Sequence, residues 1–281
     1  MFDGILPIYK ERGMTSHDVV FKARKILKMK KIGHSGTLDP EVDGVLLLLL
    51  GGATKVSDYA MDLGKSYRAE VCLGIKTTTE DLTGEILEER TVEGIDISEI
   101  KGILKTMVGE IEQTPPIYSA VKVNGRKLYE YARQGIEIER EARPVHISSL
   151  EVEKIDETNY RMNAVVSSGT YIRTLIADFG KQLNELAIMS SLVRTKIEHL
   201  SLKDACTFED LESSDSFLSP LQVIDPTYKI VETDQVVDIK NGKRIKLDIT
   251  DPQVIFTSNG KLLAAYALQE DGLYHCLRGL F

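Results

Sequence analysis

One carboxylate, Asp39, stands where a side chain could perform covalent or proton-transfer chemistry, in the stretch Gly33-His34-Ser35-Gly36-Thr37-Leu38-Asp39-Pro40. Pro40 fixes its own φ and disfavours the α region for the residue before it, which places Asp39 in a loop or extended turn. Glycines 33 and 36 admit backbone geometry or close approaches that a side chain would block. The apolar run 45–50 follows, reads as a strand buried on both faces, and closes at Gly51-Gly52. An acid on a stiff loop rooted in core has the rigid mount that a nucleophile or general base needs. Two other chemistries fail on these residues. Asp39-Pro40-Glu41-Val42-Asp43-Gly44 spaces its acids like the opening of an EF-hand loop, but the twelfth position, which must be a bidentate Glu, is Leu50. The glycines at 33 and 36 lack the following Gly-Lys-Ser/Thr of a phosphate-binding loop.

Positive charge is the second ingredient. The chain has a net charge of -8, which taken alone argues against a nucleic-acid partner. Its distribution argues the other way. Residues 21–31 carry Lys22, Arg24, Lys25, Lys28, Lys30 and Lys31 with no acid, directly before the Asp39 loop. Lys122, Arg126, Lys127, Arg133, Arg140 and Arg143 form a second group, whereas acids concentrate in 80–99 and 204–215. Local basic surfaces on an acidic protein bind phosphates. The three cysteines, Cys72, Cys206 and Cys276, are odd in number and scattered, which favours a reducing cytoplasm. The five histidines form no ligand cluster, so neither a metal nor a cofactor is expected. The N-terminus lacks the basic and apolar regions of a signal peptide, and no stretch reaches membrane-spanning length.

The elements that must position these residues follow from periodicity. Residues 5–9 read as a strand, and Ser16 as the cap of a helix that carries Val19, Val20, Ala23, Ile26 and Leu27 on one face and the basic residues on the other. Residues 53–61 read as a short helix, 67–73 as a strand, and 98–108 as a helix capped by Ser98. Pro115-Pro116 precedes a strand over 117–123, Asn124-Gly125 is a tight turn, and 127–134 is a short basic helix. Residues 124–144 read as an excursion from the core that could close over a partner. A hairpin over 145–155 and 160–167, a helix over 171–183 and a strand-like stretch over 186–197 complete the main body. The turn-rich segment 215–226 is the expected boundary between residues 1–226 and a small β-barrel-like module at 227–281, built from short strands at 236–239, 254–257, 262–268 and 274–277.

Four separated segments resemble one family. They are the Asp39 loop with Gly51-Gly52-Ala53-Thr54-Lys55; Lys65-Ser66-Tyr67-Arg68-Ala69; Pro115-Pro116-Ile117-Tyr118-Ser119-Ala120-Val121-Lys122 with Gly125-Arg126-Lys127-Leu128-Tyr129; and Ser168-Gly169-Thr170-Tyr171-Ile172-Arg173. Together, in this order, they look like the TruB family of tRNA pseudouridine synthases, over residues 5–195 and more weakly through a C-terminal module similar to a PUA domain. The resemblance implies an α+β fold, with a mixed, largely antiparallel sheet flanked by helices. It implies isomerisation of uridine 55 in the T loop of tRNA, without a cofactor or guide RNA, by a monomer. Asp39 matches the catalytic aspartate, Arg173 the arginine that pairs with it, and Tyr67 the tyrosine that stacks on the target base. His34 matches a histidine that helps turn the base out, and Leu192 an apolar residue of the uracil pocket. Lys10, Tyr171 and Asp81 fall at positions near the site. Lys28, Lys30, Lys31, Lys122, Arg126, Lys127, Arg133 and Arg143 would grip the RNA backbone. The sequence departs from the family pattern at Glu41-Val42-Asp43, whose two carboxylates are expected to face solvent, and at Thr77-Thr78-Thr79, which has a threonine in place of an aspartate.

Overall fold

The computed structural model of the chain describes residues 4–56, 59, 63–92, 95–213 and 218–280. The chain divides into two compact units, one comprising Met1–Pro40, Val45–Leu63 and Leu202–Phe281, the other Glu41–Gly44 and Gly64–Ser201.

The N-terminal part of the first unit is built on strand β1 (Gly4–Lys10), helix α1 (Ser16–Ile26), β2 (Ile32–Ser35) and β3 (Asp43–Leu50). The apolar run of β3 is fully buried from Val45 to Leu50. Leu46, Leu48 and Leu50 pack with Leu6 and Ile8 of β1 and with Val19, Val20 and Ala23 of α1, each buried leucine contributing about 1.5–3 kcal/mol. β2 runs antiparallel to β3, with His34 opposite Leu48. The cap of α1 is Thr15 rather than Ser16: Thr15 and Asp18 satisfy each other's main-chain N–H groups in a capping box. Ser16 is thereby freed to turn inward, where it is buried. α1 also stops at Leu27, and Lys28 takes the left-handed region at φ 50°. Lys28, Lys30 and Lys31 therefore lie in the turn beyond the helix, not on its face. Of the helix expected over 53–61, a 3₁₀ segment, Gly51–Val56, is seen, and residues 57, 58 and 60–61 lie outside the described residues.

The second unit contains β4 (Lys65–Leu73), β5 (Ile75–Thr77), β6 (Ile86–Glu89), α2 (Ile97–Met107), β7 (Gly109–Gln113), β8 (Lys122–Val123), β9 (Arg126–Lys127), α3 (Leu128–Ala132), β10 (Arg143–Lys154), β11 (Asn159–Val166), α4 (Ile172–Gln182), β12 (Ala187–Ile197) and β13 (Leu200–Ser201). Its sheet has the order β12-β4-β11-β10-β7, all neighbours antiparallel. Asp43 and Gly44, the first residues of β3, pair in parallel with Val193 and Arg194, which makes the sheet mixed. Gly44 sits at φ 117°, and a Cβ there would lie 2.2 Å from the Arg194 carbonyl oxygen, so the approach requires glycine. α4 packs on β12 and α2 on β10; the cap of α2 is Asp96, whose carboxylate accepts the Ser98 N–H.

The strand expected over 117–123 is reduced to β8. The carbonyls of Tyr118 and Ser119 are taken by the Arg173 guanidinium and the Tyr129 N–H, which leaves those residues no strand partner. Asn124 and Gly125, both at positive φ, close the β8–β9 hairpin as predicted.

At the C-terminus, β14 (Lys229–Glu232), helix α5 (Val236–Lys240), β15 (Gln253–Ser258), β16 (Lys261–Leu268) and β17 (Tyr274–Gly279) form a four-stranded sheet in that strand order. The first pair is parallel and the others antiparallel. The strand expected at 236–239 is instead α5. Its β-branched residues suggested a strand, but Ile239 alone is fully buried, against Phe256, Tyr266 and Tyr274, and the Tyr266 hydroxyl caps its carbonyl. The turn-rich boundary at 215–226 includes residues 215–217, outside the described ones.

Candidate active site

In the first unit, the Asp39 loop is fixed through the main chain on both sides of the acid. The buried Ser16 hydroxyl accepts the Leu38 N–H at 2.9 Å and donates to the Leu38 carbonyl at 3.2 Å. The Pro40 carbonyl accepts the Gly13 N–H at 2.8 Å and the Lys10 ammonium at 3.3 Å. Lys10 is fully buried, and its Nζ also donates to the Glu11 carbonyl. Between these anchors the Asp39 residue is exposed. The arrangement holds an exposed acidic residue on a loop anchored through the main chain of its two neighbours. His34 is half-buried on β2. Lys28, Lys30 and Lys31 are exposed, and the exposed Phe21 ring lies under the Lys25 ammonium, 4.5 Å from its centroid. Cations interleaved with an aromatic ring suit phosphates and bases.

In the second unit, the sequence-predicted residues Arg173 and Asp81 come together. Arg173, in the first turn of α4, is only 6% exposed. Its guanidinium donates to the Thr79 carbonyl at 2.9 Å and the Tyr118 carbonyl at 3.0 Å, and lies 3.5 Å from the Asp81 carboxylate. Asp81 in turn accepts from the hydroxyls of Thr79 and Thr83 and from the Thr83 N–H. The Thr77-Thr78-Thr79 departure is thus put to use: the Thr77 hydroxyl binds the Asp81 carbonyl, and Thr79 supplies contacts to both charged groups. Glu80, at φ 63°, accepts the Thr174 hydroxyl at 2.7 Å. Burial raises the Glu80 pKa, against the opposing pull of the Thr174 hydrogen bond and the Arg173 charge.

Tyr67, on β4, is buried between Ala164 and Arg194 of the neighbouring strands. Arg194 is fully buried, the largest such side chain among the described residues, and stands opposite Tyr67 in the β12–β4 pairing. Burial pushes the Arg194 pKa down, while its phenol partner opposes that shift. Arg194 was not among the predicted site residues; a lone arginine in the apolar stretch 186–197 was the available signal. Leu192, two positions before it, is buried opposite Ala69. Glu41 is exposed as expected, whereas Asp43 is half-buried because it pairs with Val193.

Tyr171 is half-buried and caps α4, with its main chain held by the side chain of Gln113. The excursion carries the remaining cations. Lys122, Arg126, Arg133 and Arg143 are exposed and Lys127 is half-buried. Arg126 lies over Tyr131, and Lys127 and Arg133 lie over Tyr129, at 5.1–5.5 Å from the ring centroids. The excursion is anchored further back than 124–144 suggests, because Gln113 pairs with Arg143 where β7 ends and β10 begins.

A family model described as the N-terminal domain of TruB family pseudouridylate synthases matches residues 24–172. A tRNA pseudouridine synthase B of Staphylococcus haemolyticus is 54% identical over 218 residues, spanning 75% of this chain and 72% of its own. Another, from Staphylococcus saprophyticus, is 46% identical over 288 residues, 95% of this chain and 94% of that protein. Among solved structures, a chain of a Cbf5–Nop10–Gar1 complex superposes with a TM-score of 0.71 at 24% identity, over 99% of this chain and 85% of its own. That likeness shows a shared fold. Among the described residues, no helix is long and apolar enough to cross a membrane.

Proposed function

The chain belongs to the TruB family of pseudouridylate synthases and is a tRNA pseudouridine synthase, and from that premise we propose that it isomerises uridine 55 in the T loop of tRNA. The observation that carries this reading is identity to tRNA pseudouridine synthase B proteins over 95% of the chain. The target base lies stacked in folded RNA, so chemistry at C1′ and C5 requires it flipped out, at a cost of a few kcal/mol. His34 occupies the vacated stacking position. Uracil enters an apolar pocket at Tyr67 and Leu192. Asp39, as nucleophile or base, starts cleavage of the C1′–N1 bond, and Arg173 takes the part of the arginine that the family resemblance pairs with it. The detached uracil stays bound and rotates, C1′ bonds to C5, and the C5 proton leaves as N1 regains one. Tyr67 stacks on the base and takes part in removing that proton.

Lys28, Lys30 and Lys31 with the cations of the excursion grip the tRNA backbone, and residues 227–281 act as a PUA-like RNA-binding module beside the catalytic part at 1–226. The enzyme works in the cytoplasm as a monomer, without a guide RNA. Incubating the purified protein with an unmodified tRNA transcript and mapping pseudouridine tests the reading: conversion at uridine 55 alone is expected, and modification elsewhere or none would overturn it.

A further inference from the structure

Gln113 ends β7, is buried, and stands at the root of the excursion through its pairing with Arg143. Its side-chain amide reaches across to a single residue of another element. The Oε1 atom accepts the Tyr171 N–H at 2.7 Å, and Nε2 donates to the Tyr171 carbonyl at 3.1 Å. Tyr171 is the first residue of the α4 turn that carries Arg173, and no side chain of its own caps that helix. The same segment makes a second contact: the Tyr118 carbonyl accepts from the Arg173 guanidinium at 3.0 Å. Between these two points, the Pro115 carbonyl accepts the Arg140 guanidinium at 2.9 Å from the returning arm of the excursion. Arg140 therefore serves the protein's own backbone. Segment 113–118 thus holds both the start of α4 and the side chain of Arg173, and is itself held by the excursion.

We propose that Gln113 is a positioning residue for pseudouridine formation, tying the root of the RNA-gripping excursion to the placement of Tyr171 and Arg173. The proposal rests on the functional reading above. The chemistry of the side chain is specific to the task. Clamping both main-chain groups of one residue needs a donor and an acceptor in one planar fork, which an amide has and a carboxylate lacks. Without the clamp, the first turn of α4 is free to shift, and displacement of a catalytic group by even about 1 Å can cost about 10²-fold in rate.

The test is single-turnover pseudouridine formation with enzyme in excess over an unmodified tRNA transcript, alongside tRNA affinity and the folded fraction, for wild type, Gln113→Met and Gln113→Glu. The methionine variant keeps the volume and loses both hydrogen bonds, so its rate per folded enzyme should fall at least about tenfold while affinity stays within about twofold. The glutamate variant keeps the acceptor for the Tyr171 N–H and regains a donor only when protonated. Its rate relative to wild type should lie between the other two and climb as pH falls. A wild-type rate in the methionine variant would overturn the proposal, as would a loss that tracks affinity or folded fraction. A glutamate-to-wild-type ratio flat with pH would also overturn it. A wild type that makes no pseudouridine would overturn the functional reading and this proposal with it, whereas an active wild type matched by its variants defeats this proposal alone.

Discussion

The loop carrying Asp39 and the helix turn carrying Arg173 are held in opposite ways. Around Asp39 the protein binds the neighbours' main chain, at Leu38 and Pro40, and leaves the acid residue exposed. Around Arg173 it binds the side chain itself, with two carbonyls and a carboxylate about a guanidinium that is 6% exposed. The difference suits two jobs. A group that must meet a substrate stands at the surface, and its precision comes from the backbone. A group that must set a field and stay still has its donors committed.

The sharpest attack on this contrast is Arg173→Lys. One ammonium cannot reproduce the planar fork that reaches both the Thr79 and Tyr118 carbonyls, and it leaves a buried acceptor short. The single-turnover rate should fall by about 10²–10³-fold. A variant close to wild type would show that charge alone suffices and that the committed donors are irrelevant. The corresponding break in the loop is Ser16→Ala, which deletes both hydrogen bonds to Leu38. It should cost about 1–2 kcal/mol of stability by denaturant titration and about tenfold in rate, with tRNA affinity kept. An unchanged rate would mean that the loop needs no such anchor.

Much of this was legible in the sequence, and the misses share a cause. The Asp39 loop and the buried strand behind it could be read from Pro40, the glycines and the unbroken apolar run, because each is a local signal. Arg173 and Asp81 were placed by resemblance, and the structure brings them to one network. Arg194, Gln113 and the inward role of Ser16 could not be read, since each acts through a partner 22 to 127 positions away (Leu38, Tyr171 or Tyr67). The helix at 236–240 departs from the expected strand for the same reason: its β-branched run favours a strand locally, while the packing of Ile239 decides the outcome.

A smaller effect separates buried charge that is used from buried charge that is merely tolerated. Burial raises the Glu80 pKa, so the folded state binds its proton more tightly than the unfolded chain does. Stability from that proton is present below the ordinary glutamate range and is lost as pH rises through the raised value. Glu80→Gln removes the charge and keeps an acceptor for the Thr174 hydroxyl. It should melt above wild type at pH 7, with the gap closing toward pH 4. A lower melting temperature at pH 7 would mean that attraction to Arg173 outweighs the burial cost.

The central claim, that the acid exposed on an anchored loop initiates the reaction, is tested most directly by Asp39→Asn on unmodified tRNA, following pseudouridine at position 55 with enzyme in excess and measuring tRNA affinity in parallel. The account predicts no pseudouridine over times in which wild type converts its substrate fully, with affinity within about twofold. Pseudouridine from the variant at a rate near wild type would contradict it.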